Sequence, residues 1–170
     1  PYVATGSAAN IISARVSYVW NLRGPAVSVD TACSSALVAV DGARRAVAQG
    51  QCEWALAGGV NVMLLGDSIA LLTSAGMLAG DGRCKTFSKD ADGFARAEGV
   101  GVAVLMPVAL AQQQGRRVYG VVRGSAVNQD GRTNVLTAPN GPSQEAVILA
   151  ACDEAGRDVH AGEYAAVEAH

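Results

Sequence analysis

Val29-Asp30-Thr31-Ala32-Cys33-Ser34-Ser35-Ala36-Leu37 puts a cysteine where one kind of local structure gives way to another. Residues 26–30 read as a short strand. Residues 34–49 carry Leu37, Val40, Ala43 and Val47 at helical spacing, expected to face inward, with Gly50 as the stop. A strand running straight into a helix leaves Cys33 at the helix N-terminus. There the free backbone N–H groups and the helix dipole lower a thiol's pKa, and the thiolate is the good nucleophile. The same N–H groups suit the oxyanion that forms when a thiolate attacks a thioester carbonyl. Acyl transfer is the chemistry this junction fits. A cysteine is otherwise most often a small buried apolar residue. That is the reading for Cys52, Cys84 and Cys152, which occupy no such junction.

Working outward, Ser7 is expected to cap a helix whose positions Ile12, Val16, Val19 and Trp20 form one buried face, ending before Gly24-Pro25. Residues 54–63 and 100–106 are continuous apolar runs, the pattern of strands covered on both faces. Between them runs a polar connection from Asp81 to Gly93, and connections of such length usually carry function. Residues 118–127 read as a third strand, ending in the turn Asn128-Gln129-Asp130-Gly131. Pro139-Asn140-Gly141-Pro142 leads into a helix over about 143–155, closed by Gly156, and residues 165–169 read as a last strand. Strands alternating with helices give an α/β protein with covered sheets.

With 50% apolar residues among 170, the chain can build one core without disulfides or metals. Lys plus Arg number 13 and Asp plus Glu 15, a net charge of −2 that offers no basic footprint for nucleic acid. Apolar runs break well short of the ~20 residues a bilayer span needs, and no signal segment opens the chain. No membrane association is expected, and the expected location is cytoplasmic. The cysteine spacings match neither zinc sites nor a disulfide framework. No Gly-x-Ser-x-Gly elbow occurs, which weakens a serine hydrolase reading. Gly58-Gly59 and Gly99-Val100-Gly101 fit no phosphate-binding pattern, so tight packing is their expected role. Both ends, Pro1 and His170, are expected to be cuts within a longer domain.

Asp30-Thr31-Ala32-Cys33-Ser34-Ser35 resembles the active-site signature of β-ketoacyl synthases, and the likeness runs along essentially the whole chain. Tyr2-Val3-Ala4-Thr5-Gly6-Ser7, Leu56-Ala57-Gly58-Gly59-Val60, Asp81-Gly82-Arg83-Cys84-Lys85-Thr86-Phe87 and Arg123-Gly124-Ser125-Ala126-Val127-Asn128-Gln129-Asp130-Gly131 fall in the family's order. Leu136-Thr137-Ala138-Pro139-Asn140-Gly141-Pro142-Ser143-Gln144 looks like the type I modular polyketide synthase branch. The closing Val167-Glu168-Ala169-His170 is similar to the start of the family's Glu-Ala-His-Gly-Thr-Gly-Thr motif, whose histidine acts in condensation. His160 matches nothing catalytic and is expected to be a surface loop residue. The chain departs from the family's pattern at Ala97, where glycine is common. Alanine resists positive φ, so the departure bears on the local loop path and on no catalytic atom.

The resemblance implies a thiolase-like layered α/β/α/β/α fold, incomplete in this fragment. Residues 1–112 would supply most of the first thiolase-like half and residues 113–170 the start of the second. It implies Cys33 as acyl-accepting nucleophile and His170 in decarboxylation and condensation, with a second histidine and a lysine beyond the chain. No cofactor would be bound, and substrates would arrive on the phosphopantetheine of an acyl carrier protein. Partners would be that carrier, adjoining synthase domains and a second copy, a homodimer with residues 27–30 near the twofold axis. Residues between Met63 and Met77 would shape the choice of acyl chain. Other readings are a fatty acid synthase condensing enzyme and a non-condensing acyl-transferring domain. The fragment alone is expected to be inactive, with strand edges and apolar faces uncovered.

Overall fold

The computed structural model describes residues 2–162 and 164–170. In chain order the elements are α1 (Val3–Ser7), α2 (Asn10–Trp20), a 3-10 turn (Ala32–Ser34), α3 (Ser35–Ala48), β1 (Ala55–Asn61), α4 (Asp67–Ser74), β2 (Gly99–Leu105), α5 (Val108–Gln113), α6 (Gly141–Glu154) and a second 3-10 turn (Val159–Ala161). β1 and β2 pair in a two-stranded sheet. The chain divides into two compact units, residues 1–58 with 102–163 and residues 59–101 with 164–170.

In the first unit, α3 and α6 follow from local chemistry. Each ends where a glycine takes up the left-handed conformation, Gly50 at φ 70° and Gly156 at φ 64°. The α6 start has the Asn140 side chain accepting from the Ser143 N–H at 3.3 Å, with Pro142 in the first turn. Asn140 Nδ2 also donates to the Asp130 carbonyl at 2.8 Å, and Asn128 Nδ2 to the Ser143 carbonyl at 2.7 Å, so the cap pins the preceding loop. Gly124 lies against α6. A Cβ there would collide with the Ala151 carbonyl oxygen and come within 2.7 Å of the Ala155 nitrogen.

In the second unit, Lys85 is held between Asp81 and Asp92, bracing the polar connection from both ends. Ala79 N–H donates to the Phe94 carbonyl at 3.0 Å and Phe94 N–H to the Met77 carbonyl at 3.1 Å, forming a parallel bridge. Gly93, at φ 149°, allows this approach, since a Cβ would collide with the 77–79 backbone.

Several sequence expectations are corrected. Residues 26–30, 118–127 and 165–169 are not strands. Alternating apolar residues make a segment capable of pairing, but a strand exists only with a ladder partner, and none lies among the described residues. Residues 26–30 are instead tied to α2, with Ser28 Oγ bonded to the Ala9 carbonyl at 2.8 Å and to Ser13 Oγ at 3.0 Å. Ser7 is the last residue of α1 rather than the cap of α2, because the chain breaks between the two helices at Ala8. The α2 stripe is not buried: Ile12 and Val19 are 61% and 66% exposed. Leu37 is exposed as well, while Val40, Ala43 and Val47 are half-buried. β1 and β2 are not covered on both faces, since Val60, Val100, Val102 and Val104 are all exposed. Among the described residues the buried apolar side chains are Ala57, Ala79 and Ala111. Ala97 needs no special conformation. The described non-glycine residues at positive φ are Asn21, Ala32 and Phe87.

Candidate active site

Cys33 is exposed, at the centre of the 3-10 turn that opens into α3. The turn is braced by its own side chains. Asp30 Oδ1 accepts the Ala32 N–H at 3.2 Å, the two-residue reach by which an aspartate mimics a backbone turn. Ser35 Oγ accepts the Thr31 N–H at 2.9 Å and donates to the Ala32 carbonyl at 2.7 Å. Ser34 Oγ lies 2.8 Å from both the Thr31 carbonyl and the Thr31 hydroxyl. Such short side-chain bonds to nearby backbone compete with regular helix and hold a tighter turn.

Two features were not legible from the sequence. Ala32 adopts φ 54°, a left-handed conformation that costs a non-glycine residue about 1–2 kcal/mol and turns the chain sharply just before the cysteine. Second, among residues 31–35 the expected free N–H groups shrink to one. The Thr31, Ala32, Ser34 and Ser35 N–H groups all have acceptors within the turn, and the Cys33 N–H has none among the described residues. Asp30 and the two serines signal this in retrospect, since each is a short polar side chain able to take a neighbouring amide.

Behind the turn, α3 carries a charged cluster. Asp41 is buried, and both its oxygens accept from Arg45 Nε at 2.9 and 3.1 Å. Ser125 Oγ donates to Asp41 Oδ1 at 2.6 Å, and Arg44 Nη2 pairs with Glu154 Oε1. Burial is the largest single influence on Asp41 and raises its pKa. The hydrogen bonds from Arg45 and Ser125 and the charges of Arg45 and Arg44 together outweigh it and hold the carboxyl below its ordinary value. Glu154 is also lowered, first by the Ser125 N–H and then by Arg44. The spacing of Asp41, Arg44 and Arg45 at i, i+3 and i+4 could have revealed the α3 part of this cluster.

His170 belongs to the second unit, where it is exposed in a segment without regular structure. His160 lies in the second 3-10 turn, exposed, its N–H bonded to Asp158 Oδ1 at 2.8 Å. No disulfide joins the four cysteines among the described residues. Cys84 is exposed, its Sγ accepting the Ala95 N–H at 3.2 Å, and Cys52 and Cys152 are half-buried. No described helix is long and apolar enough to cross a membrane.

Residues 1–111 match the family model described as Beta-ketoacyl synthase, N-terminal domain, and residues 119–170 match Beta-ketoacyl synthase, C-terminal domain. Erythronolide synthase EryA3 of Saccharopolyspora erythraea is 52% identical over 169 residues, covering 99% of this chain and 5% of its own length. Pikromycin polyketide synthase component PikAII of Streptomyces venezuelae is 54% identical over 154 residues, 91% of this chain and 4% of its own. Among solved structures, the oxazolomycin ketosynthase domain OzmH KS7 of Streptomyces albus JA3453 superposes with a TM-score of 0.87 at 40% identity, covering 89% of this chain and 26% of that one. The ketosynthase from module 6 of the bacillaene synthase of Bacillus subtilis 168 gives 0.86 at 41% identity, covering 89% and 27%. The chain thus spans a small part of each relative it resembles.

Proposed function

The chain belongs to the β-ketoacyl synthase family and has its thiolase-like α/β fold, and on that premise we propose that it carries the acyl-accepting part of a polyketide synthase condensing site. The observation that carries the reading is Cys33, exposed on a self-braced turn at the start of α3 with its own N–H unpaired among the described residues.

Cys33 Sγ, as thiolate, attacks the thioester carbonyl of an acyl group held on the phosphopantetheine of an acyl carrier protein. The carrier thiol leaves with a proton and the acyl group stays on sulfur. During attack the carbonyl oxygen gains negative charge, and a preorganised N–H such as that of Cys33 stabilises it more in the transition state than in the substrate. A malonyl-type extender on a carrier then loses carbon dioxide. The resulting enolate carbon attacks the acyl-cysteine carbonyl, a carbon–carbon bond forms, and the Cys33 thiolate departs. His170 donates a hydrogen bond to the extender's thioester oxygen as charge develops there. Residues 1–112 belong to the first thiolase-like half and 113–170 to the second. The site works within a homodimer joined to further synthase domains, in the cytoplasm. The polyketide reading is favoured over a fatty acid synthase or a non-condensing domain by a relative named as a polyketide synthase component at 54% identity, beside one named as an erythronolide synthase at 52%.

The test uses the intact domain containing this chain, supplied with an acyl thioester and a malonyl thioester. The reading expects β-ketoacyl product, none with Cys33→Ala, and an acylated enzyme that fails to consume malonyl thioester with His170→Ala. Undiminished product from Cys33→Ala rules the reading out.

A further inference from the structure

Every polar atom of Ser125 is engaged. Its N–H donates to Glu154 Oε2 at 2.8 Å, its hydroxyl donates to Asp41 Oδ1 at 2.6 Å and accepts from Arg44 Nε at 2.8 Å, and its carbonyl lies 3.4 Å from Arg45 Nη2. Arg44 reaches past the serine to Glu154, and Arg45 spans both oxygens of the buried Asp41. Three pieces of chain remote in sequence, α3, residues 123–125 and α6, therefore meet at one residue inside one compact unit. Gly124 supplies the room, because any Cβ there would strike the α6 backbone.

Two carboxylates and two guanidinium groups balance in charge, which leaves no carboxylate of the cluster without a cationic partner but demands a specific arrangement. An apolar helix contact tolerates sliding by a fraction of an ångström, whereas directional, charge-assisted bonds fix one register. Asp41 stands about 9 Å along α3 from its first residue, Ser35, at 1.5 Å per residue, and Cys33 lies two residues before that start. A helix that short passes axial displacement to its end undiminished.

We infer that Asp41, Arg44 and Glu154, meeting at Ser125, are positioning residues for Cys33: they lock α3 lengthwise and so fix where the acylated sulfur is presented during condensation. The inference rests on the condensing function proposed above. The thiol's intrinsic reactivity belongs to the turn over residues 30–35, which holds itself together through Asp30, Ser34 and Ser35. Disturbing the lock therefore separates two quantities that general loosening would move together.

The experiment compares the intact domain with its Glu154→Gln, Ser125→Ala and Ser125→Thr variants. It follows iodoacetamide modification of Cys33, kcat and KM for condensation, and the thermal midpoint. Glu154→Gln and Ser125→Ala are expected to lower kcat by about tenfold to a hundredfold, the size that sub-ångström misplacement of a reacting group produces. KM and alkylation rate stay within about twofold of the parent, and Ser125→Thr, which keeps the hydroxyl, regains most of the lost rate. The isosteric Glu154→Gln carries the test if Ser125→Ala does not fold. Unchanged kcat in folded variants overturns the inference, and so does a parallel fall in alkylation and condensation. A parent domain that takes no acyl group on Cys33 refutes the condensing reading and this inference together, a failure visible before any variant is made.

Discussion

Replacing Gly124 by alanine tests the close approach of residues 123–125 to α6. The added Cβ would collide with the Ala151 carbonyl oxygen and lie 2.7 Å from the Ala155 nitrogen and 3.0 Å from its Cβ, where ordinary contact begins at 3.4 Å. These obstacles are mainly backbone, so no side chain can swing away, and α6 must withdraw by a substantial fraction of an ångström. Forced overpacking of this kind costs about 1–3 kcal/mol. Restricting the unfolded chain returns about 0.4–1 kcal/mol, since Gly124 is not at positive φ and alanine suits its backbone. The net expectation is a loss of roughly 1–2 kcal/mol. Urea unfolding of the intact domain should show a lower midpoint with an unchanged slope. The withdrawal also parts Glu154 from the Ser125 N–H, so condensation should fall alongside stability. A midpoint equal to or above the parent's would refute the reasoning, because it would mean that no backbone stands where the Cβ must go.

Further outcomes follow from the same geometry. Asp41 and Glu154 have folded pKa values below their ordinary ones of 3.8 and 4.5, so their contribution to stability is present above those ordinary values and is lost as pH falls through the depressed ones. Acid unfolding of the intact domain should therefore steepen below the ordinary values and flatten in Asp41→Asn. Lys85 is raised, first by Asp92 and then by Asp81, so its contribution is complete below about pH 10.4 and is lost as pH rises through the folded value. Lys85→Met should increase proteolytic nicking between residues 81 and 93 without altering Cys33 acylation. Ala32→Val puts a β-branched residue at φ 54° and should slow Cys33 acylation severely, whereas Ala32→Gly should retain it. The 170-residue chain alone, with Leu37, Val100 and Val102 exposed, should give no multiple turnovers in a condensation assay.

What the sequence reveals depends on whether the cause is local. α3 and α6 are legible because periodicity, an asparagine cap and the stops at Gly50 and Gly156 are properties of one segment. β1 and β2 are legible because their apolar runs find each other. Residues 118–127 have equal strand character, but pairing belongs to two segments and this one has no partner among the described residues. α4 and α5 escape notice because eight and six residues are too few to display a period. The junction that singles out Cys33 is local and readable. The left-handed Ala32 is not, because alanine is a residue one would not choose there. Asp41, Arg44 and Arg45 announce a charged helix face, but nothing in their spacing points to Ser125 or Glu154, more than 75 residues further along.

The central claim is that Cys33 accepts an acyl chain. The intact domain, incubated with a simple acyl thioester and digested for mass spectrometry, measures this most directly. The account predicts an acyl mass on the peptide containing Cys33, absent in Cys33→Ala and absent from the peptides of Cys52, Cys84 and Cys152. A folded domain that shows no adduct at Cys33 across several chain lengths, or the same adduct after Cys33→Ala, would contradict it.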